Sequence, residues 1–137
     1  EDPVLAAQKV RDVMAANPEL QGWAMVGGWP LFSQSLLDLE PGRVKIVAVD
    51  ALPAQLPYLE KDIAQVLLAQ QVYEWGYQSV MITFKHVYKK ENVPRMNEMA
   101  LIPVTKDGGN GDKSIAQWAR QLKAWGIPVE QKWLDMK

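Results

Sequence analysis

The fold turns on residues 57–85, PYLEKDIAQVLLAQQVYEWGYQSVMITFK. Read with a helical period, Leu59, Ile63, Val66, Leu67 and Tyr73 form one apolar stripe between Pro57 and Trp75, and Gly76 suits the left-handed cap that ends a helix. Beyond it, Val80, Ile82 and Phe84 alternate with Met81, Thr83 and Lys85, which is the period of a strand. This reading predicts a helix over 57–75 and a strand over 79–87. A second apolar run, 96–104, follows the polar stretch 87–94 with Arg95 at its edge. Two strands joined in this way are expected to form an antiparallel hairpin with a long exposed tip.

Upstream, Asp2 caps a helix that opens on Pro3, and Asn17-Pro18 stops it, because the residue before a proline is pushed out of the helical region. Residues 22–26 read as a short strand ended by Gly27-Gly28. Residues 36–40 are expected to pair with 43–50 across the turn dipeptide Pro41-Gly42, although 31–39 fits a helical turn almost as well. Strand 43–50 is apolar on one face and nearly so on the other, as in a strand covered on both sides. Downstream, Ile115, Trp118, Ala119, Leu122 and Trp125 mark a third helix capped by Asp112 or Ser114 and ended by Gly126-Ile127-Pro128; a last strand is expected over 129–133. The whole predicts a single α+β domain over 1–137. It has a mixed sheet of four to five strands with three helices packed on it, in the order α-β-(β)-β-α-β-β-α-(β).

Composition narrows the function. At 137 residues, 48% hydrophobic and 23% charged, the chain buries enough surface to fold without a disulfide or metal staple. It has no cysteine and one histidine, so thiolate catalysis and cysteine-ligated zinc are excluded, and neither a metal site nor a cofactor is expected. Charge is uneven: residues 1–80 carry −5 and residues 81–137 carry +4, which points to a dipolar surface. No apolar run reaches the roughly 20 residues of a membrane span. The chain opens on Glu1 rather than Met, as a processed or trimmed form would, and a place in the bacterial periplasm or envelope is the expectation.

Two clusters stand out as candidate binding sites. Lys85, His86, Lys89, Lys90 and Arg95 place five potential cations in eleven residues with Tyr88 among them, a combination that suits an acidic protein surface, single-stranded nucleic acid or anionic lipid. Trp29, in a turn between Gly28 and Pro30, has no periodic reason to be buried, and with Phe32 it suits a contact patch. Catalytic signals are poor. Residues 108–114 resemble a phosphate loop only superficially, since Asp112 intrudes before Lys113-Ser114. His86 needs Glu91 or Glu98 to orient it, and Asp38, Glu40 and Asp50 meet only if the 36–50 hairpin forms. The sequence therefore suggests a non-catalytic, envelope-associated module that contacts another protein. The alternatives are a small enzyme or small-ligand-binding domain with a sheet-edge cleft, and binding of nucleic acid or an acidic partner through 85–95.

Overall fold

The computed structural model describes residues 2–136. Helix α1 (Pro3–Ala16) is capped by the Asp2 carboxylate, which accepts from the amides of Val4 and Leu5. It buries Ala7, Val10 and Met14. Strand β1 (Gly22–Met25) pairs in parallel with β2 (Lys45–Val49), with Trp23 facing Ile46 and Met25 facing Ala48. β2 pairs in parallel with β3 (Val66–Ala69), and β3 runs antiparallel to β4 (Ile102–Thr105), which takes the two-residue β5 (Lys113–Ser114) in parallel on its far side. The result is a mostly parallel five-stranded sheet in the order β1-β2-β3-β4-β5. A mixed sheet with helices is the expected class; the element order is not the expected one.

The main correction falls on 57–85. In place of one helix over 57–75, the chain makes a single turn, α2 (Leu56–Glu60), then β3, then a second helix, α3 (Val72–Thr83), which runs on into a turn of π-helix over 84–88. Asp62 breaks the predicted helix by taking a left-handed φ of 56°, and the amides of Ile63 and Ala64 both fold back to the Tyr58 carbonyl. The apolar run 66–69 is then a buried strand, a form that hydrophobic periodicity cannot separate from a helical turn. Gly76 is not a cap but an interior residue of α3. The predicted strand 79–87 is helical throughout, so no hairpin joins it to β4. The parallel partner of β2 is β3.

Residues 36–40 pair with no strand. Gly42 does adopt a turn conformation (φ 74°), but its amide donates to the Asp62 carbonyl, and both edges of β2 are taken by β1 and β3. Segment 31–39 is instead pinned by Tyr58, whose buried hydroxyl donates to the Ser33 carbonyl and accepts from the Leu36 amide. Helix α4 (Ile115–Ala124) begins as predicted at Ser114, with Gln117 completing a reciprocal cap, and ends at Gly126 (φ 77°). The last segment is a short helix, α5 (Gln131–Asp135), not a strand; a helical turn lets it bury Trp133 completely. Leu31, Leu36, Ile46, Tyr58, Leu67, Trp118 and Trp133 belong to one continuous core. No helix among the described residues is long and apolar enough to cross a membrane.

Candidate ligand-binding site

Three parallel strands end side by side. In open α/β sheets, the carboxyl ends of the strands are where connecting loops splay apart and where backbone and side-chain polar groups converge without blocking each other. Here β1 leads into Gly27-Gly28-Trp29, β2 into Asp50, and β3 into Gln70.

Asp50 takes a left-handed φ of 71°, a conformation that aspartate tolerates better than most residues and that belongs to a chain turning sharply off its strand. Its amide still donates to the Leu68 carbonyl (3.0 Å), so the backbone is anchored to β3 while the side chain is turned out at the edge. Gln70 Nε2 donates to Asp50 Oδ1 at 2.6 Å. Oδ2 faces Gly28: a β-carbon on Gly28 would fall 2.9 Å from that oxygen and 2.7 Å from the Val49 carbonyl oxygen. Gly28 is thus the condition for the β1 loop to close against the end of β2. Gly27 has a parallel role, because the Trp29 ring lies across it and a β-carbon there would fall 1.6 Å from a ring atom. Trp29 remains 41% exposed at this edge.

The loop beneath Asp50 is held from below. Gln55 is fully buried, donating to the Val49 carbonyl (3.2 Å) and accepting from the Leu52 amide (2.8 Å). Trp118 Nε1 donates to the Ala51 carbonyl at 2.7 Å. Its ring meets Trp125 edge-on (centroids 5.4 Å apart), and Trp125 stacks on Tyr73 at 6.1 Å. A small cavity of about 30 Å³ lies here, touching Asp50, Gln70, Trp118 and Trp125. An apolar groove of about 320 Å³ lies on the other side of the β1 loop, between α1 and Trp29. An acceptor carboxylate, an amide that both donates and accepts, and a half-exposed indole together can hold a hydroxyl-rich ligand: the polar groups meet hydroxyls, and the ring covers C–H surface.

At the opposite end of the sheet, a groove of about 290 Å³ is lined by Asp62, Lys106, Asn110 and Asp112. Lys106 donates to Asp62 at 2.6 Å and the two charges neutralise each other, a hydrogen bond that holds the lysine above its ordinary pKa. The 108–114 loop is no phosphate cradle, since Gly108 packs its α-carbon against Ser114 and its amide donates to the Thr105 hydroxyl.

The predicted site residues separate into two places. Trp29 and Phe32 follow β1 at the carboxyl edge. Lys85, His86 and Tyr88 lie in the π-helical turn and Lys89, Lys90 and Arg95 just after it, all exposed. There is no hairpin tip to gather them. At 1.5 Å per residue, Lys85 lies roughly 20 Å along the helix from Val72, too far to serve the edge. His86 Nδ1 meets the backbone carbonyl of Glu91 at 3.3 Å rather than a carboxylate, so the orienting acid is missing. Asp38 does not meet Asp50; it pairs with Arg11. Among the described residues no cluster of three or more His, Asp or Glu side chains could hold a metal ion. Gln70 goes unseen in the sequence because a helix over 57–75 hides it in mid-helix; the signal available was the buried apolar run ending in Gln70-Gln71.

No family model matches this sequence, and no curated protein matches it. Solved structures do. An ABC transporter solute-binding protein from Burkholderia graminis in complex with D-arabinose superposes with a TM-score of 0.71 at 21% identity, over 82% of this chain and 41% of its own. One from Agrobacterium vitis bound with α-D-tagatopyranose gives 0.69 at 22%, over 80% and 37%. A glucose-galactose binding protein from Geobacillus stearothermophilus gives 0.67 at 18%, over 79% and 39%. A putative LacI transcriptional regulator from Bacteroides fragilis shares the fold more loosely (0.62, 17% identity, 75% and 36%). The chain thus matches about two fifths of the length of each. These neighbours overturn the expectation of a non-catalytic protein-interaction module: the fold recurs in proteins that bind sugars, which favours the small-ligand alternative.

Proposed function

We propose that this chain forms one wall of a binding site for a small polyhydroxylated ligand, a monosaccharide, at the carboxyl edge of β1, β2 and β3. The observation that carries the reading is the Asp50–Gln70 pair on adjacent strand ends, locked at 2.6 Å and flanked by the Gly27-Gly28-Trp29 turn. A carboxylate held by one amide keeps a second oxygen to accept from a sugar hydroxyl, and such charge-assisted bonds are the strong ones. Sugar-bound neighbours of the same fold support it. The same reading puts the chain in the periplasm or cell envelope, working with a transporter permease, which the solute-binding neighbours suit.

The test is titration of ¹⁵N-labelled protein with D-arabinose, D-tagatose, D-fucose, D-galactose and D-glucose. At least one sugar should move the resonances of Gly27, Gly28, Asp50 and Gln70 together. Asp50→Ala should weaken that binding about tenfold or more, the worth of a hydrogen bond to a charged group, without altering the circular dichroism. No shift with any sugar, or shifts confined to another face, would overturn the assignment.

A further inference from the structure

Asp50 holds its left-handed φ of 71° without being a glycine, a conformation that persists only where the surroundings fix it. The Leu68 carbonyl takes its amide, and buried Gln55 takes the Val49 carbonyl before it and the Leu52 amide after it. The remaining group, the carbonyl of Ala51, is taken from far along the chain. Its donor is Trp118 Nε1 on α4, 67 residues away, in a buried bond of 2.7 Å. A buried carbonyl left without a partner is costly, so this bond ties the turn after β2 to α4.

The donor is held in one place. Ile115, Trp118, Ala119 and Leu122 form the buried stripe of α4, and the reciprocal cap between Ser114 and Gln117 fixes where that helix begins. Trp125 stands edge-on to the Trp118 ring at 88° and is itself stacked on Tyr73, three residues past Gln70, at 10°. The helix therefore braces the ends of both β2 and β3. The cavity of about 30 Å³ between them, bounded by Asp50, Gln70 and Trp118, has room for about one water and not for a sugar ring. Trp118 thus meets the site only through the backbone.

We propose that Trp118 is a positioning residue of the ligand site. Its indole N–H, acting through the Ala51 carbonyl, sets the turn at Asp50 and with it the carboxylate that Gln70 grips. Its part in binding rests on the proposed ligand site; its control of the Asp50–Gln70 pair does not. Such coupling is reciprocal, so a sugar bound at Asp50 also acts on Trp118.

The test uses the whole 137-residue chain, labelled with ¹⁵N. Trp118→Phe keeps an aromatic ring in the core and removes the N–H. Trp133→Phe is the control, because Trp133 is as deeply buried yet its Nε1 has no partner among the described residues. Both variants should lower the urea midpoint. Only Trp118→Phe should also move the Asp50 amide resonance and speed solvent exchange of the Gln70 side-chain amide by about tenfold, the worth of one hydrogen bond. It should weaken binding of whichever of D-arabinose, D-tagatose, D-fucose, D-galactose and D-glucose binds by about three- to thirtyfold, the range over which a side chain outside a site alters it. In the unaltered chain, that sugar should move the Trp118 indole resonance and leave that of Trp133 in place, a readout that needs no variant to fold. Equal effects of the two variants on the Gln70 amide and on sugar affinity overturn the proposal. So does a Trp118 indole that stays still while Asp50 responds to sugar. If no sugar binds and Trp118→Phe still frees the Gln70 amide, the ligand reading falls and the hold of Trp118 on Asp50 stands.

Discussion

Replacing Gly28 by alanine tests whether the β1 turn must touch the end of β2. Gly28 has an ordinary φ of −74°, so alanine brings no backbone strain, and any cost must be steric. The new β-carbon would meet the Val49 carbonyl oxygen at 2.7 Å, a Phe32 ring carbon at 2.7 Å and Asp50 Oδ2 at 2.9 Å. Comfortable contact begins near 3.4 Å, so the turn must back away by about half an ångström or more. Neither neighbour yields easily: Gln55 holds the Val49 carbonyl, and Gln70 holds Asp50. Overpacking of this kind costs about 1–3 kcal/mol. Gly22→Ala is the control, since its β-carbon would meet nothing nearer than the Lys45 carbonyl oxygen at 3.8 Å, and its cost should stay within about 0.5 kcal/mol. Urea unfolding followed by tryptophan fluorescence should lower the Gly28→Ala midpoint at constant slope. Equal midpoints for the two variants would show that the turn does not rest on β2, and the geometry of the site would fall with it.

Tyr58→Phe keeps the ring in the core but strips the hydroxyl from the Ser33 carbonyl and the Leu36 amide; leaving those groups unpaired should cost about 2–4 kcal/mol, and a midpoint shift worth under 0.5 kcal/mol would contradict the anchoring of 31–39. Burial pushes that phenol above its ordinary value of 10.0, so the unfolded chain ionises first and stability should fall as pH rises past 10, a fall that Tyr58→Phe should blunt. Arg11 beside Asp38 holds that carboxyl below its ordinary 3.8, so the pair contributes above that pH and is lost as acid is added; Asp38→Asn should flatten the loss of stability below pH 4, and parallel acid profiles would refute it. Gly76→Ala, with open space around the added carbon, should slow exchange in 72–88 of the 137-residue chain about two- to fivefold, since alanine favours a helix by about 0.5–1 kcal/mol, and leave the melting temperature unchanged because no α3 residue is buried.

What the sequence makes legible is whatever local chemistry decides alone. Asp2 with Pro3, Asn17 with Pro18, Ser114 with Gln117 and Gly126 mark the ends of α1 and α4 without reference to the rest of the chain. The errors cluster where tertiary context decides. Val66–Ala69 lies between β2 and β4 with Leu67 and Ala69 buried and Val66 and Leu68 half-buried, and four such apolar residues fit a helical turn as well as a strand. The alternation at Val80, Ile82 and Phe84 mimics a strand, whereas the longer-range spacing 73, 77, 80, 84, 87 is helical. The site was harder still. Asp50 reads as a turn-flanking acid, and Gln70 acquires meaning only once β3 is a strand that ends there.

The antiparallel pairing of β3 with β4 has one more consequence. Because Ala69 faces Ile102 across it, the two ends of residues 72–101 stand beside each other, and that excursion is an appendix rather than a link in the sheet. A tight turn in its place would leave every strand pairing as it is. Inheritance can therefore enlarge, trade or shed what hangs from this point while the ledge bearing Asp50 and Gln70 stays put.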